Sequence, residues 1–163
     1  MSHAIFYTSR TGNTAQLAQV IQDMLQEVTY CGVPDTAQAA DADILFIGFW
    51  TDKGTCPDDM KEFLHTLQGK QIFLFGTAGF GGSAAYFAQI LSRVQTEIPD
   101  SCQVIGSFMC QGKMPEVVRT RYEAMEPSEK RTMMLENFEK ASTHPDAADL
   151  EALRACVRKY CMI

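Results

Sequence analysis

The chain is predicted to fold as an α/β domain in which a parallel sheet carries helices on both faces. Short apolar runs alternate with segments whose apolar residues recur every three or four positions, which indicates strands alternating with amphipathic helices. Strands that follow one another at this interval are joined by crossovers and therefore lie parallel. The chain has 163 residues, 46% of them hydrophobic and 21% charged. This composition suits a single domain over residues 1–163.

Five short apolar runs are predicted to form the strands. They end in polar or glycine-containing loops, as strands buried on both faces commonly do. The predicted strands are residues 4–8, a weaker stretch at 28–30, and residues 44–50, 71–75 and 102–110.

Apolar residues at helical spacing predict the helices. The first begins near residue 14, where Asn13 or Thr14 is expected to cap its start. Further helices are predicted over residues 58–67, 83–94 and 146–159. Two more helical patterns, at 116–125 and 128–140, form a helical excursion over residues 113–145, before the last helix. A crossover normally needs only about a dozen residues, so the excursion is an insertion.

Composition and charge exclude several classes of function. The net charge of -6 and pI of about 5.0 argue against nucleic-acid or anionic-membrane partners, which need clustered Lys and Arg. No apolar run approaches the roughly 20 residues of a membrane helix, and no secretory signal pattern is visible. We expect a cytoplasmic monomer. Six cysteines without a Cys-x-x-Cys pair, and three histidines without metal-site spacing, predict no metal.

The loop after the first strand is predicted to bind a phosphate. It consists of Thr8, Ser9, Arg10, Thr11, Gly12, Asn13 and Thr14. The start of the next helix offers unpaired N–H groups and a positive dipole end, and the hydroxyl groups can donate further hydrogen bonds. The patterns Gly-x-x-x-x-Gly-Lys and Gly-x-Gly-x-x-Gly are absent, which disfavours nucleoside triphosphates and dinucleotides. A terminal phosphomonoester therefore fits this loop best.

The pattern Ser9-x-Thr11-Gly12-Asn13-Thr14 after an amino-terminal strand resembles the FMN phosphate loop of the flavodoxin family. The resemblance covers residues 4–112 in the order of the elements and resumes in the last helix. It implies a flavodoxin-like three-layer sandwich, a five-stranded sheet of order 2-1-3-4-5, and bound FMN. In that family the loops after the third and fourth strands enclose the isoalloxazine ring. They map here onto residues 49–55 and 77–82.

The first of these two loops contributes the expected cofactor-binding residues Phe49, Trp50, Thr51, Asp52, Lys53 and Gly54. Trp50 is the only tryptophan, and it either stacks on the flavin or covers the edge of the sheet. Gly54 accommodates a positive φ, and the resemblance implies that its peptide can rearrange when the flavin is reduced. Lys53 lies either near the flavin or in solvent.

The second loop contributes Thr77, Ala78, Gly79, Phe80, Gly81 and Gly82. Its glycines let backbone amides and carbonyls approach a planar ligand closely. Phe80 either supplies a second aromatic face or folds over Tyr86.

The resemblance implies an FMN protein that passes electrons between redox partner proteins. Its acidic surface would disfavour the anionic, fully reduced flavin and would steer docking onto a basic partner. We expect the excursion to shape that docking surface and to leave FMN affinity largely intact. Two alternatives stay open: an NAD(P)H-dependent quinone or small-molecule reductase with the same flavin, and a flavin-free interaction module. No arrangement of nucleophile and base predicts catalytic residues of the protein itself.

Overall fold

The computed structural model describes residues 1–81 and 83–161, and its centre is one five-stranded parallel sheet. The strands are β1 (His3–Tyr7), β2 (Val28–Gly32), β3 (Ile44–Trp50), β4 (Gln71–Ala78) and β5 (Gln103–Gln111). Their order is β2-β1-β3-β4-β5, which confirms the predicted order. The central strand β3 is buried over six of its seven residues, as its continuous apolar run predicts.

Seven helices connect and follow the strands within the described residues. They are α1 (Asn13–Met24), α2 (Thr36–Ala40), α3 (Asp58–His65), α4 (Ala84–Gln95), α5 (Glu116–Glu123), α6 (Glu129–Ala141) and α7 (Ala147–Cys161). The sequence analysis missed α2, because a five-residue helix that buries only Ala39 has no repeating apolar pattern. Its local signal is Asp35, whose carboxylate accepts hydrogen bonds from the N–H groups of Ala37 (2.9 Å) and Gln38 (3.2 Å).

The sheet separates two hydrophobic cores. On one face, α3 and α4 pack through residues such as Met60, Leu64 and Ile90. On the other face, α1 and α7 pack through residues such as Leu17 and Leu153. This is the three-layer arrangement that the sequence predicts. No helix among the described residues is both long and apolar enough to cross a bilayer.

Two reciprocal pairs of glycine and phenylalanine align the central strands. Gly48 pairs with Phe75, and Phe49 pairs with Gly76. A Cβ atom at Gly48 would lie 2.3 Å from the Phe75 ring, and one at Gly76 would lie 2.6 Å from the Phe49 ring. Each glycine therefore makes room for the opposite ring. The same register brings Trp50 beside Thr77 at the carboxyl edge of the sheet.

Candidate functional site

A cavity of about 410 Å³ lies at the carboxyl edge of the sheet. This volume is within the range of small-molecule sites, roughly 300–1,000 Å³. All three predicted loops reach it. The predicted residues that line it are Arg10, Thr11, Asn13, Trp50, Thr51, Lys53, Gly54, Thr77, Gly79 and Phe80.

Other predicted residues of these loops do not line the cavity. They are Thr8, Ser9, Gly12, Thr14, Phe49, Asp52, Ala78 and Gly81. The side chain of Phe49 is fully buried in the core above Gly76 and does not line the cavity. Ala78 is also buried, with 3% exposure. Gly82 lies outside the described residues.

The first loop places its polar groups differently from the prediction. Gly12, with φ +89°, is the N-cap of α1, so neither Asn13 nor Thr14 caps the helix. Ser9 contributes to capping, because its Oγ accepts a hydrogen bond from the Ala15 N–H (3.3 Å). The Asn13 side chain instead donates through Nδ2 to the carbonyl of Lys113 (2.8 Å). The start of α1 thus remains open toward the cavity.

Thr77 joins the three loops. Its carbonyl accepts hydrogen bonds from the N–H and the hydroxyl of Thr51, both at 2.9 Å. Its hydroxyl shares a hydrogen bond with that of Thr14 (3.3 Å), and both side chains are buried. Buried hydroxyl groups that satisfy each other in this way fix the relative positions of the elements that carry them.

The second loop is a tight hairpin. Asp52 and Thr55 exchange two backbone hydrogen bonds, of 2.7 and 3.1 Å. Both central residues have positive φ, 53° at Lys53 and 82° at Gly54, as a type I′ turn requires. The positive φ of Gly54 agrees with the sequence analysis, whereas that of Lys53 was missed. Arg93 on α4 donates to the Gly54 carbonyl (3.1 Å) and anchors the turn.

The third loop is held by Gln111 at the end of β5 and by residues of the excursion. Gln111 and Asn137 both donate to the Gly79 carbonyl, at 2.9 and 3.1 Å. Met114 packs against Gly79 so closely that a Cβ atom there would lie 2.5 Å from its Cγ. Phe80 is 41% exposed and lines the cavity together with Tyr86.

The excursion forms a fourth wall that the sequence analysis missed. Its cavity-lining residues, with Gly112 before them, are Lys113, Met114, Pro115, Val118, Arg121 and Tyr122. Burial raises the pKa of Tyr122. We expect from the sequence that the excursion shapes a docking surface and leaves FMN affinity largely intact, and the structure places its first residues in the wall of the cavity as well. The spacing of Val118, Arg121 and Tyr122, three and four residues apart, was the available signal for one shared helix face.

Two other groups lie away from this wall. Cys56 is a core thiol, 1% exposed, whose pKa is raised to about 11 by burial. His144 forms a hydrogen bond with Asp149 (2.6 Å), and the side chains of Asp146 and Asp149 accept hydrogen bonds from each other's backbone N–H at the start of α7. The reciprocal bonds of Asp146 and Asp149 form a capping box at the start of α7. Helix capping therefore explains why His144, Asp146 and Asp149 lie together.

Comparison with known proteins agrees with this architecture. A family model described as flavodoxin domain matches residues 4–158. The chain belongs to the flavodoxin family. Two proteins named flavodoxin-like domain-containing protein BilS are similar to it. The one from Clostridium symbiosum (strain WAL-14163) is 41% identical over 94% of this chain and 93% of its own length. The one from Clostridioides difficile (strain CD3) is 34% identical over 92% of this chain and 90% of its own length.

A solved structure extends the comparison to the fold. The flavoprotein in complex with FMN from Lactobacillus acidophilus NCFM aligns with a TM-score of 0.51 and 16% identity. The alignment covers 66% of this chain and 92% of that one. At this identity it supports the shared flavodoxin fold. Membership in the flavodoxin family supports FMN as the cofactor.

The first loop of this flavodoxin-family protein fits a phosphate group. The Thr8 hydroxyl is buried and has no hydrogen-bond partner among the described residues, so an additional acceptor or donor would satisfy it. A Cβ atom at Gly12 would meet nothing within 4 Å, which leaves open space at the start of α1. The first N–H groups of a helix have no partner within the helix and attract anions.

Proposed function

We propose that this protein binds FMN in the cavity and carries electrons between cytoplasmic redox enzymes. The observation that supports this best is the convergence of an open helix start, the Trp50 wall and the Gly79 loop on one cavity. The open start of α1 provides N–H groups that can bind a phosphate. The Trp50 wall and the Gly79 loop provide the surfaces that a planar aromatic ligand requires.

The residues present suggest how each part of FMN is held. The first N–H groups of α1 and the Thr8 hydroxyl, which has no partner among the described residues, would bind the phosphate. Trp50 would cover one face of the ring, and the backbone near Gly79 and Phe80 would approach its polar edge. The hydrogen bonds that Thr77 makes to the other loops hold these parts at fixed distances. When bound, FMN supplies reversible electron transfer, and the protein tunes it.

We favour an electron carrier over a stand-alone enzyme because the chain belongs to the flavodoxin family. Redox chemistry at this site would come from the flavin itself. We propose that the excursion also contributes to docking of a redox partner. Its exposed apolar residues Val117 and Met133, with 54% and 68% exposure, are typical of contact surfaces.

The experiment is a spectrum of the purified protein. The protein should be yellow, or become so on titration with FMN, and should release FMN on denaturation. A protein that gains no flavin would contradict the proposal. NADPH added alone discriminates carrier from reductase: slow bleaching of the flavin is expected for a carrier, whereas rapid bleaching would favour an NAD(P)H-dependent reductase.

A further inference from the structure

The charge of the cavity is opposite to that of the protein. The chain carries 20 Asp and Glu against 14 Lys and Arg. Four of those cations, Arg10, Lys53, Lys113 and Arg121, line the cavity, whereas no Asp or Glu of the described residues does. The four side chains come from three segments, the loops after β1 and β3 and the excursion, so their convergence is a product of the fold and not of a local basic sequence.

These four cations lack carboxylate partners. Cations elsewhere, such as Lys61, Arg119 and Arg154, form ion pairs with Asp or Glu. Within residues 1–81 and 83–161, none of the four cavity cations does. Among the described residues, the Arg10 guanidinium contacts the face of Trp50 and no carboxylate. Their positive potential is therefore not cancelled within the site.

The four cations divide into two pairs by position. Arg10 belongs to the phosphate loop, and the Lys113 carbonyl is bound by Thr11 and Asn13 of that loop. The backbone of both residues is thus held at the phosphate loop. Lys53 and Arg121, which we term the distal cations, come from the β3 hairpin and from α5. They exceed what a phosphomonoester needs.

We propose that the distal cations, Lys53 and Arg121, stabilise the negative charge that the flavin ring acquires on reduction, and so raise its reduction potential. The inference rests on the proposed binding of FMN. Two electrons from a reductant and one proton from water leave the reduced ring with one net negative charge. A nearby cation binds that form more tightly than the neutral oxidised form, and this difference in affinity is the shift in potential.

The distal cations act more strongly than the acidic surface as a whole. At physiological ionic strength the Debye length is about 8 Å, so carboxylates farther away are largely screened. Charges that share a partly enclosed cavity with the ring are screened less. The sequence-based expectation, that net charge disfavours the reduced anionic flavin, is therefore reversed locally. Three carboxylates are direct sequence neighbours of lining residues but do not line the cavity themselves: Asp52, Glu116 and Glu123.

The test measures the potential of the FMN-loaded protein by dithionite titration against a reference dye. Lys53→Gln/Arg121→Gln removes both distal cations. Lys140→Gln/Lys159→Gln removes the same charge from exposed positions outside the cavity. We expect the first double variant to bind reduced FMN roughly tenfold less tightly relative to oxidised FMN, a fall of about 30 mV for a two-electron couple. The control should change little, and added salt should shrink the difference.

The possible failures are distinguishable. If the wild-type protein binds no FMN, the proposed function fails and the inference fails with it. If both double variants bind oxidised FMN but have the wild-type potential, or shift equally, the inference alone is overturned. Lys53→Arg/Arg121→Lys, which keeps both charges, should retain the wild-type potential, and a fall in this variant would show that shape rather than charge is responsible.

Discussion

The guanidinium of Arg10 lies over the indole ring of Trp50, with its Cζ atom 5.4 Å from the ring centroid. This cation–π contact joins the phosphate loop to the hairpin after β3, and both side chains line the cavity. Because Trp50 is the only tryptophan of the chain, its fluorescence reports on this wall alone.

FMN is expected to quench most of the Trp50 emission as it binds, because a flavin within the cavity lies close enough to accept the excitation. Trp50→Ala should weaken FMN binding by roughly 2- to 10-fold, since an aromatic contact contributes about 0.5–1.5 kcal/mol beyond area burial. Titration followed by tryptophan emission, with free tryptophan as the control for light absorption by FMN, gives both results. Binding of FMN with undiminished Trp50 emission would contradict the assignment of this wall.

Replacement of Gly54 separates backbone strain from site geometry. Gly54 and Gly69 have positive φ, 82° and 64°. Alanine at either position should lower the free energy of unfolding by about 1 kcal/mol, because L-residues disfavour this region. Only Gly54→Ala also places a methyl group 2.6 Å from Nη1 of Arg93, which must then leave the Gly54 carbonyl.

We therefore expect the two glycine variants to be similarly stable in urea denaturation but different in FMN affinity. The guanidinium of Arg93 can turn into solvent at little cost in free energy. Loss of its hydrogen bond to the Gly54 carbonyl should therefore affect the hairpin more than the stability of the fold. Equal FMN affinities of Gly54→Ala and Gly69→Ala would show that the hairpin does not need Arg93.

Asn13 connects the phosphate loop to the excursion. Its side chain is 7% exposed and donates to the Lys113 carbonyl (2.8 Å). Asn13→Asp cannot donate and places a carboxylate beside that carbonyl, so the free energy of unfolding should fall by about 3 kcal/mol. Thr11→Val, which removes a longer bond (3.3 Å) from a half-exposed hydroxyl to the same carbonyl, should cost less than about 1 kcal/mol. Equal losses in urea denaturation would contradict this ranking.

The sequence was sufficient for the sheet and for three walls of the cavity, because both depend on local patterns. Buried strands appear as apolar runs, and each loop that follows a parallel strand must lie at the same edge. The start of α1 could be predicted as well, because it directly follows the loop after the first strand. The burial of Phe49 could not be predicted, because only the register that sets it opposite Gly76 decides that its ring is buried.

The fourth wall depends on contacts that no local pattern encodes. Asn13 and Lys113 are 100 residues apart, and Gly79 and Asn137 are 58 apart. Sequence periodicity identified the two helices of the excursion but not the loop that they cover. The cation-rich lining could not be predicted from the sequence either, because Arg10, Lys53 and Arg121 come from three distant segments.

The contact between Asn137 and Gly79 tests whether the excursion belongs to the flavin site. Asn137→Asp keeps an oxygen that can accept from Gln111 (3.2 Å in the wild type) but loses the donor to the Gly79 carbonyl. The free energy of unfolding should fall by about 1–2 kcal/mol, and FMN should dissociate severalfold faster. Glu136→Gln, at an exposed neighbouring position, is the control. Unchanged FMN dissociation would restore the view that the excursion serves only docking.

Cys56 gives the protein a stability limit at alkaline pH. Burial raises the pKa of its thiol from 9.0 to about 11. A group whose pKa is raised on folding contributes stability below its unfolded pKa and loses it as pH rises through its folded pKa. The free energy of unfolding should therefore fall between about pH 9 and 11, by up to roughly 3 kcal/mol from this thiol.

The comparison of wild type with Cys56→Ala isolates that contribution, because every other ionisable group is common to both proteins. The variant should be less stable at pH 7, where it leaves a small cavity, but should lose less stability on going to pH 11. Alkylation at pH 8 provides a second measurement: the thiolate fraction of Cys56 should be about 100-fold lower than that of a thiol with pKa 9. Rapid labelling of Cys56 in the folded protein would show that its site is open, and the alkaline loss should then be absent as well.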